Sequence, residues 1–310
     1  MNESMNKTDL MQHIPILKEA VSIDQIDKGY SRDEKWIVTM SSGEKYVLRC
    51  TNQEQFEKVK TQFELLTQLK RYGVQCADPV NMDVLEEKQQ LYYILSFVEG
   101  QEAKEIISQL TEEKQYALGV SAGKDLRNMH TYPAPAHIEP WEDRIMKKHH
   151  RYLDAYRKSG ISIEGDEKVA QFIAEHIDIV KGRPNQFQHD DFHLGNIIMK
   201  NTQYAGVIDF NNFDWGDPIH DFYKIALFSR ETSEAFSAGQ INGYFNGNIP
   251  DDFWLLYSVY VAMSIFSSIM WVIKFDPGQM HEMIERLENV LKDHDYFDQM
   301  EPHWYARIAR

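Results

Sequence analysis

From Phe253 to Ile273 the chain carries no Asp, Glu, Lys or Arg, and any fold it adopts has to hide that run. At roughly 1.5 Å per helical residue the segment is long enough to span a bilayer. Its serines (Ser258, Ser264, Ser267 and Ser268) and the lack of a Lys/Arg cluster at one end argue against a membrane span. A helix that is apolar all round also suits the centre of a large helical domain. With 310 residues, 43% of them hydrophobic and 26% charged, the chain can build one large or two modest domains around such a core. The expectation is a buried helix and no membrane partner.

Ahead of that run the patterning changes character. Residues 7 to 20 read as a helix, with Leu10, Ile14 and Leu17 on one face. Strands follow at residues 22–26, 35–40 and 45–50, with a loop containing Gly29, Tyr30, Ser31 and Arg32 between the first two. Residues 53–71 form an amphipathic helix with Phe56, Val59, Phe63, Leu66 and Leu69 inward, closed by Gly73. Two more strands, near 80–85 and 90–95, lead to a connector at 96–100. Nearly everything beyond is helical, apart from a short hairpin between 187 and 209. Strands first and helices afterwards predict an α+β chain in two segregated lobes, residues 1–97 and 98–310.

The formal net charge is −15, from 33 basic and 48 acidic residues. Such a field repels nucleic acid and anionic lipid, and favours small cationic partners. The two cysteines, Cys50 and Cys76, lie in apolar surroundings without metal-type spacing, as buried free thiols in a reducing compartment do. The first residues lack the apolar core of a signal peptide, which points to the cytoplasm.

The chemistry concentrates in Gln188-His189-Asp190-Asp191-Phe192-His193-Leu194-Gly195-Asn196, followed after a hairpin by Val207-Ile208-Asp209-Phe210. A phosphoryl acceptor hydroxyl needs a carboxylate to orient it and take its proton. ATP needs Mg²⁺ held by hard oxygen ligands. A tight hairpin with Asn196 at one base and Asp209 at the other supplies an amide oxygen and a carboxylate to one metal, with the base on the adjoining loop.

This stretch resembles the aminoglycoside phosphotransferases and their choline-kinase-like relatives, the small-molecule branch of the protein-kinase-like fold. That branch reads His-Gly-Asp-Leu-His-x-x-Asn and then Ile-Asp-Phe or Ile-Asp-Trp. The resemblance implies a small lobe with an antiparallel sheet and one main helix, and a larger helical lobe. It makes Asp191 the catalytic base and Asn196 and Asp209 the Mg²⁺ ligands. Asp190 replaces the usual Gly, so either Asp190 or Asp191 is a candidate base, and the five-residue step to Asn196 selects Asp191. By the same resemblance Arg49 holds ATP phosphates with Glu64 as its acidic partner, and the loop around Ser31 covers them. His130 reads as a packed core histidine, and Asp217 as the N-cap of a helix whose first residue is Pro218.

The likeness runs from about residue 22 to 225, and segments 131–185 and 235–310, where the family builds its acceptor pocket, hold no recognisable motif. The leading acceptor is a cationic, aminoglycoside-type molecule, with choline, sugar and amino-acid alcohols as alternatives. A catalytically impaired binding protein is a second reading, drawn from Asp190, Arg49 and the sparse glycines of the first loop. A metal-dependent phosphohydrolase built on His189-Asp190, His130, His193 and Asp209 is a third.

Overall fold

The computed structural model describes residues 7–26 and 33–308. Two compact units emerge: residues up to Glu99 together with Gly206–Ile208, and Gly100–Ala205 together with Asp209–Arg310. The expected boundary, 97/98, lies two residues before this division.

The first unit contains α1 (Lys7–His13), β1 (Ala20–Gln25), β2 (Glu34–Met40), β3 (Lys45–Asn52), α2 (Phe56–Arg71), β4 (Pro79–Leu85) and β5 (Gln90–Ser96). Its strands form one antiparallel sheet in the order β1-β2-β3-β5-β4. Alternation sends Trp36, Val38, Leu48 and Ile94 to one face, where they close over Leu10, Ile14 and Leu17. Leu91 and Tyr93 face the other way, toward Val59 of α2. The helix expected over 7–20 stops at His13. Ile14 precedes a proline and is extended (φ −109°, ψ 103°), after which Pro15–Glu19 make a 3₁₀ turn.

The second unit contains β6 (Gln101–Glu102), α3 (Ala103–Ile106), α4 (Glu112–Met129), α5 (Trp141–Ser159), α6 (Asp166–His176), β7 (Gln186–Gln188), β8 (Ile197–Lys200) and β9 (Gln203–Val207). They are followed by β10 (Asp214–Gly216), α7 (Arg230–Thr232), α8 (Glu234–Phe245), α9 (Phe253–Phe275), α10 (Met280–Asp293) and α11 (His303–Ile308). The α+β, kinase-like architecture expected from the sequence is what these elements build: a sheet with one main helix, then a mostly helical unit.

The charge-free run is α9. It is long and apolar enough to cross a membrane by length and composition, yet 78% of its most apolar window is buried, against α5, α6 and α10. Its serines bond within the protein: Ser258 Oγ donates to the Met300 carbonyl at 2.8 Å and Ser264 Oγ to that of Val261 at 2.7 Å.

Helices α4 and α8 cross unusually closely, because each carries a Gly-x-x-x-Gly pair at the crossing. A Cβ on Gly119 would stand 2.1 Å from the Phe236 carbonyl oxygen, and one on Gly123 2.0 Å from that of Gln240. The relation is mutual, with Gly239 and Gly243 each 2.2 Å from α4 carbonyl oxygens by the same construction. Only the absence of four side chains lets these backbones touch. The consequence reaches the site, since α4 ends by delivering His130.

Candidate active site

The catalytic loop leaves β7, which pairs antiparallel with β10 so that Gln188 stands opposite Asp214. Its backbone is held from behind by Asp221, a fully buried carboxylate. Asp221 Oδ2 accepts from the His189 N–H and Oδ1 from the Asp190 N–H, both at 2.8 Å. His130 Nε2 lies 3.0 Å from Asp221 Oδ2, and its Nδ1 2.9 Å from the Tyr244 hydroxyl. The buried histidine expected from the sequence therefore packs in the core and also fixes the carboxylate that fixes the loop.

Asp190 adopts a left-handed backbone, φ 56°. Glycine takes that conformation freely, and Asp is among the few other residues that tolerate it. The turn also throws Asp190 and Asp191 in different directions. Asp190 Oδ1 accepts from the Tyr223 hydroxyl at 3.4 Å and lies 3.6 Å from His220 Nδ1. Burial pushes its carboxyl up to about 6, tempered by Lys148 and Lys224.

Asp191 is the residue that Asn196 clasps. The Asn196 amide nitrogen donates to the Asp191 carbonyl at 2.9 Å and to its Oδ2 at 3.0 Å, closing the loop on itself. Lys224 Nζ donates to the other carboxylate oxygen at 2.9 Å, and His193 Nε2 lies 3.3 Å from it. Burial alone would raise this carboxyl, but Lys224 and His193 outweigh it and hold it well below the usual carboxylate range. Lys224 was not singled out in the sequence. It arrives from thirty-three positions downstream, on the segment after Pro218–Phe222, and no local spacing announces it.

His193 caps the 3₁₀ turn Leu194–Asn196 by accepting from the Gly195 N–H through Nδ1, at 3.0 Å. After the β8–β9 hairpin, Asp209 also takes a left-handed backbone, φ 67°, and its carboxylate accepts from Asn211 Nδ2. With its amide nitrogen committed to Asp191, Asn196 has its amide oxygen to offer a metal. That oxygen and the Asp209 carboxylate are both hard donors, the set that suits Mg²⁺. A second acidic group, Asp190 with His220 and Asp221, suits a metal less well, because Asp221 already accepts from two N–H groups and His130.

Asp217 has the structural part expected of it. It caps Pro218–Phe222 by accepting from the Ile219 N–H at 3.1 Å, takes both Arg183 Nε (2.7 Å) and Nη2 (3.1 Å), and accepts from the Tyr260 hydroxyl at 2.8 Å.

In the first unit one expected pairing is corrected. Arg49 of β3 is buried, but its Nη2 donates to Asp33 Oδ2 at 2.8 Å, with the Tyr93 hydroxyl 3.2 Å from the same oxygen. Glu64 is exposed on α2. The reason is helical phase. Val59, Gln62, Leu66 and Leu69 occupy the buried stripe, and at 100° per residue Glu64 stands about 200° round from Gln62. Ser31 and its loop lie outside the described residues.

Residues 22–254 match the model of the family described as "Phosphotransferase enzyme family". The chain belongs to that family. Solved structures share the fold at low identity. The gentamicin complex of APH(2")-IIa is 16% identical with a TM-score of 0.65, covering 92% of this chain and 97% of that one. The ADP-bound aminoglycoside phosphotransferase APH(2'')-Ib is 16% identical with a TM-score of 0.66, covering 97% and 99%. The GDP complex of aminoglycoside 2'-phosphotransferase-IIIa is 14% identical with a TM-score of 0.69, covering 91% and 95%. No curated protein sequence matches the chain.

Proposed function

We propose that this member of the phosphotransferase enzyme family transfers the γ-phosphoryl group of ATP to a hydroxyl of a small molecule, with Asp191 addressing that hydroxyl. The observation that carries the reading is the clasp of Asn196 on Asp191, which ties the base to a residue suited to hold Mg²⁺. Bound between Asn196 and Asp209, the metal would neutralise phosphate charge.

In the reaction the acceptor oxygen bonds to the γ-phosphorus, the bond to the β–γ bridging oxygen breaks, and ADP leaves with that electron pair. The acceptor proton passes through Asp191 to solvent. A carboxylate held in its ionised form by Lys224 is a weak base but a strong hydrogen-bond acceptor. That suits a loose transition state, where orienting the hydroxyl matters more than early deprotonation. Arg49, held by Asp33, is the phosphate-binding cation of the first unit in this reading.

Against the impaired-binder reading, Asp190 takes the backbone conformation that glycine would. Support for a cationic, aminoglycoside-type acceptor consists of the whole-chain charge and the gentamicin and kanamycin complexes among the fold neighbours. At 16% and 15% identity those complexes speak to fold, and the surface beside the catalytic loop has the opposite charge.

The test is transfer from radiolabelled ATP across neutral, cationic and anionic hydroxyl acceptors. Asp191→Asn is expected to lower turnover by roughly 10²–10⁴ with ATP binding retained. Equal loss in Asp190→Asn, with Asp191→Asn near wild type, would move the base to Asp190.

A further inference from the structure

A cleft of about 350 Å³ opens in the second unit, against the first half of α5. Its wall carries Arg144, Lys147, Lys148 and Arg151, with Glu139 and Asp214 as the only carboxylates lining it among the described residues. The four cations stand at i, i+3, i+4 and i+7, so the 3.6-residue repeat gathers them into one stripe beside the buried face of Trp141, Ile145 and His149.

Both carboxylates are already engaged. Glu139 pairs with Lys147, and Asp214 accepts from Arg144 Nη1 at 2.8 Å. Among the described residues Lys148 and Arg151 make no ion pair within 4 Å, although Lys148 stands near enough to Asp190 to feel its charge, and Arg144 Nε and Nη2 are buried donors without an acceptor. The lining thus has an excess of two positive charges, in a chain whose net charge is −15.

The cleft adjoins the catalytic loop. The Trp141 ring packs edge-on against His220, centroids 4.9 Å apart, and His220 Nδ1 is 3.6 Å from Asp190 Oδ1. Asp214 is the register partner of Gln188, one residue before the loop begins. Burial raises the Asp190 carboxyl and lowers the His220 imidazole, and Lys148 stands close enough to temper the first shift and add to the second.

We propose that this cleft receives an anionic group of the acceptor, a phosphate or a carboxylate carried by the hydroxyl compound that the enzyme phosphorylates. The proposal rests on the phosphotransferase reading and adds the acceptor's class to it. Arg144 and Arg151 supply planar guanidinium groups and Lys148 a point charge, the groups that recognise such oxyanions. Whole-chain charge misleads here because fields are screened beyond about 8–10 Å at physiological salt, so an acceptor feels the residues lining its site.

The experiment uses the full chain with a saturating non-hydrolysable ATP analogue and Mg²⁺, so that the nucleotide site takes up no probe. Inorganic phosphate, acetate and kanamycin are then titrated separately, following the side-chain Nε–H signals of ¹⁵N-labelled arginine. Phosphate or acetate is expected to shift the signals of Arg144 and Arg151, and whichever binds more tightly tells a phosphate-bearing from a carboxylate-bearing acceptor. Lys148→Ala/Arg151→Ala should weaken that binding about tenfold or more. Arg151→Glu, at an exposed position that leaves the core untouched, should weaken it as well. Unchanged anion affinity in these variants, or kanamycin binding at the arginines more tightly than either anion, overturns the proposal. A wild-type chain that fails to bind the nucleotide analogue at all sinks the phosphotransferase reading instead.

Discussion

Asp190 and Asp191 are neighbours in sequence with opposite electrostatic circumstances, and each difference predicts a measurement. Burial holds the Asp190 carboxyl up at about 6, against 3.8 for a free side chain. Ionising it in the folded protein is therefore costly. That cost is absent below about pH 4, grows between pH 4 and 6, and is complete above. Its side chain retains 21% exposure, which trims the penalty. Asp190→Gly should accordingly stabilise the protein by about 1–2 kcal/mol at pH 7 and by little at pH 4, read from urea midpoints at both pH values. For Asp191 the sign is reversed. Lys224 keeps it ionised through the neutral and mildly acid range, so its protonation contributes no acid limb to kcat/KM there. Lys224→Met should raise its pKa, because burial is then opposed by His193 alone, and bring such a limb into the measured profile, with wild-type rates approached at higher pH. Motif spacing singles out Asp191, Asn196 and Asp209 as candidate site residues. It gave no sign of Lys224 or of Asp221's grip on two backbone N–H groups, because both depend on where a later segment folds back.

Elements were more legible than their ends. Period-two and period-3.6 patterns placed every strand of the first sheet and its main helix, while the first helix stopped early where Pro15 forbade its continuation. The Glu64 pairing failed on phase alone: the residue sits on the right helix and on its outer side. The glycine pairs of α4 and α8 were readable as Gly119-x-x-x-Gly123 and Gly239-x-x-x-Gly243, a spacing that brings small residues onto one face. Their importance appears only when the two helices are seen to touch. Gly123→Val should cost about 2–4 kcal/mol in chemical denaturation, since the new side chain meets the Gln240 carbonyl rather than a movable side-chain end. It should also depress turnover, because displacing α4 moves His130 away from Asp221.

At the scale of the molecule, composition set the class of protein and, through its net charge, one expectation about the ligand. A chain with net charge −15 suggested a cationic acceptor, but the charge is distributed unevenly, and the stripe on α5 turns the surface beside the catalytic loop positive. The apolar run that first limited the choice of folds is the central helix of the second unit, as its serines foretold. Beneath all of this lies the proposed metal site, in which Asn196 and Asp209 would hold the Mg²⁺ of an ATP-dependent phosphotransferase. Calorimetric titration of ATP with and without Mg²⁺, on the wild-type chain and on Asp209→Ala, tests it most directly. Binding should require Mg²⁺ and should weaken about tenfold or more in the variant, which loses a charge as well as an oxygen ligand. ATP binding that is indifferent to Mg²⁺, or that survives Asp209→Ala unchanged, would contradict the claim.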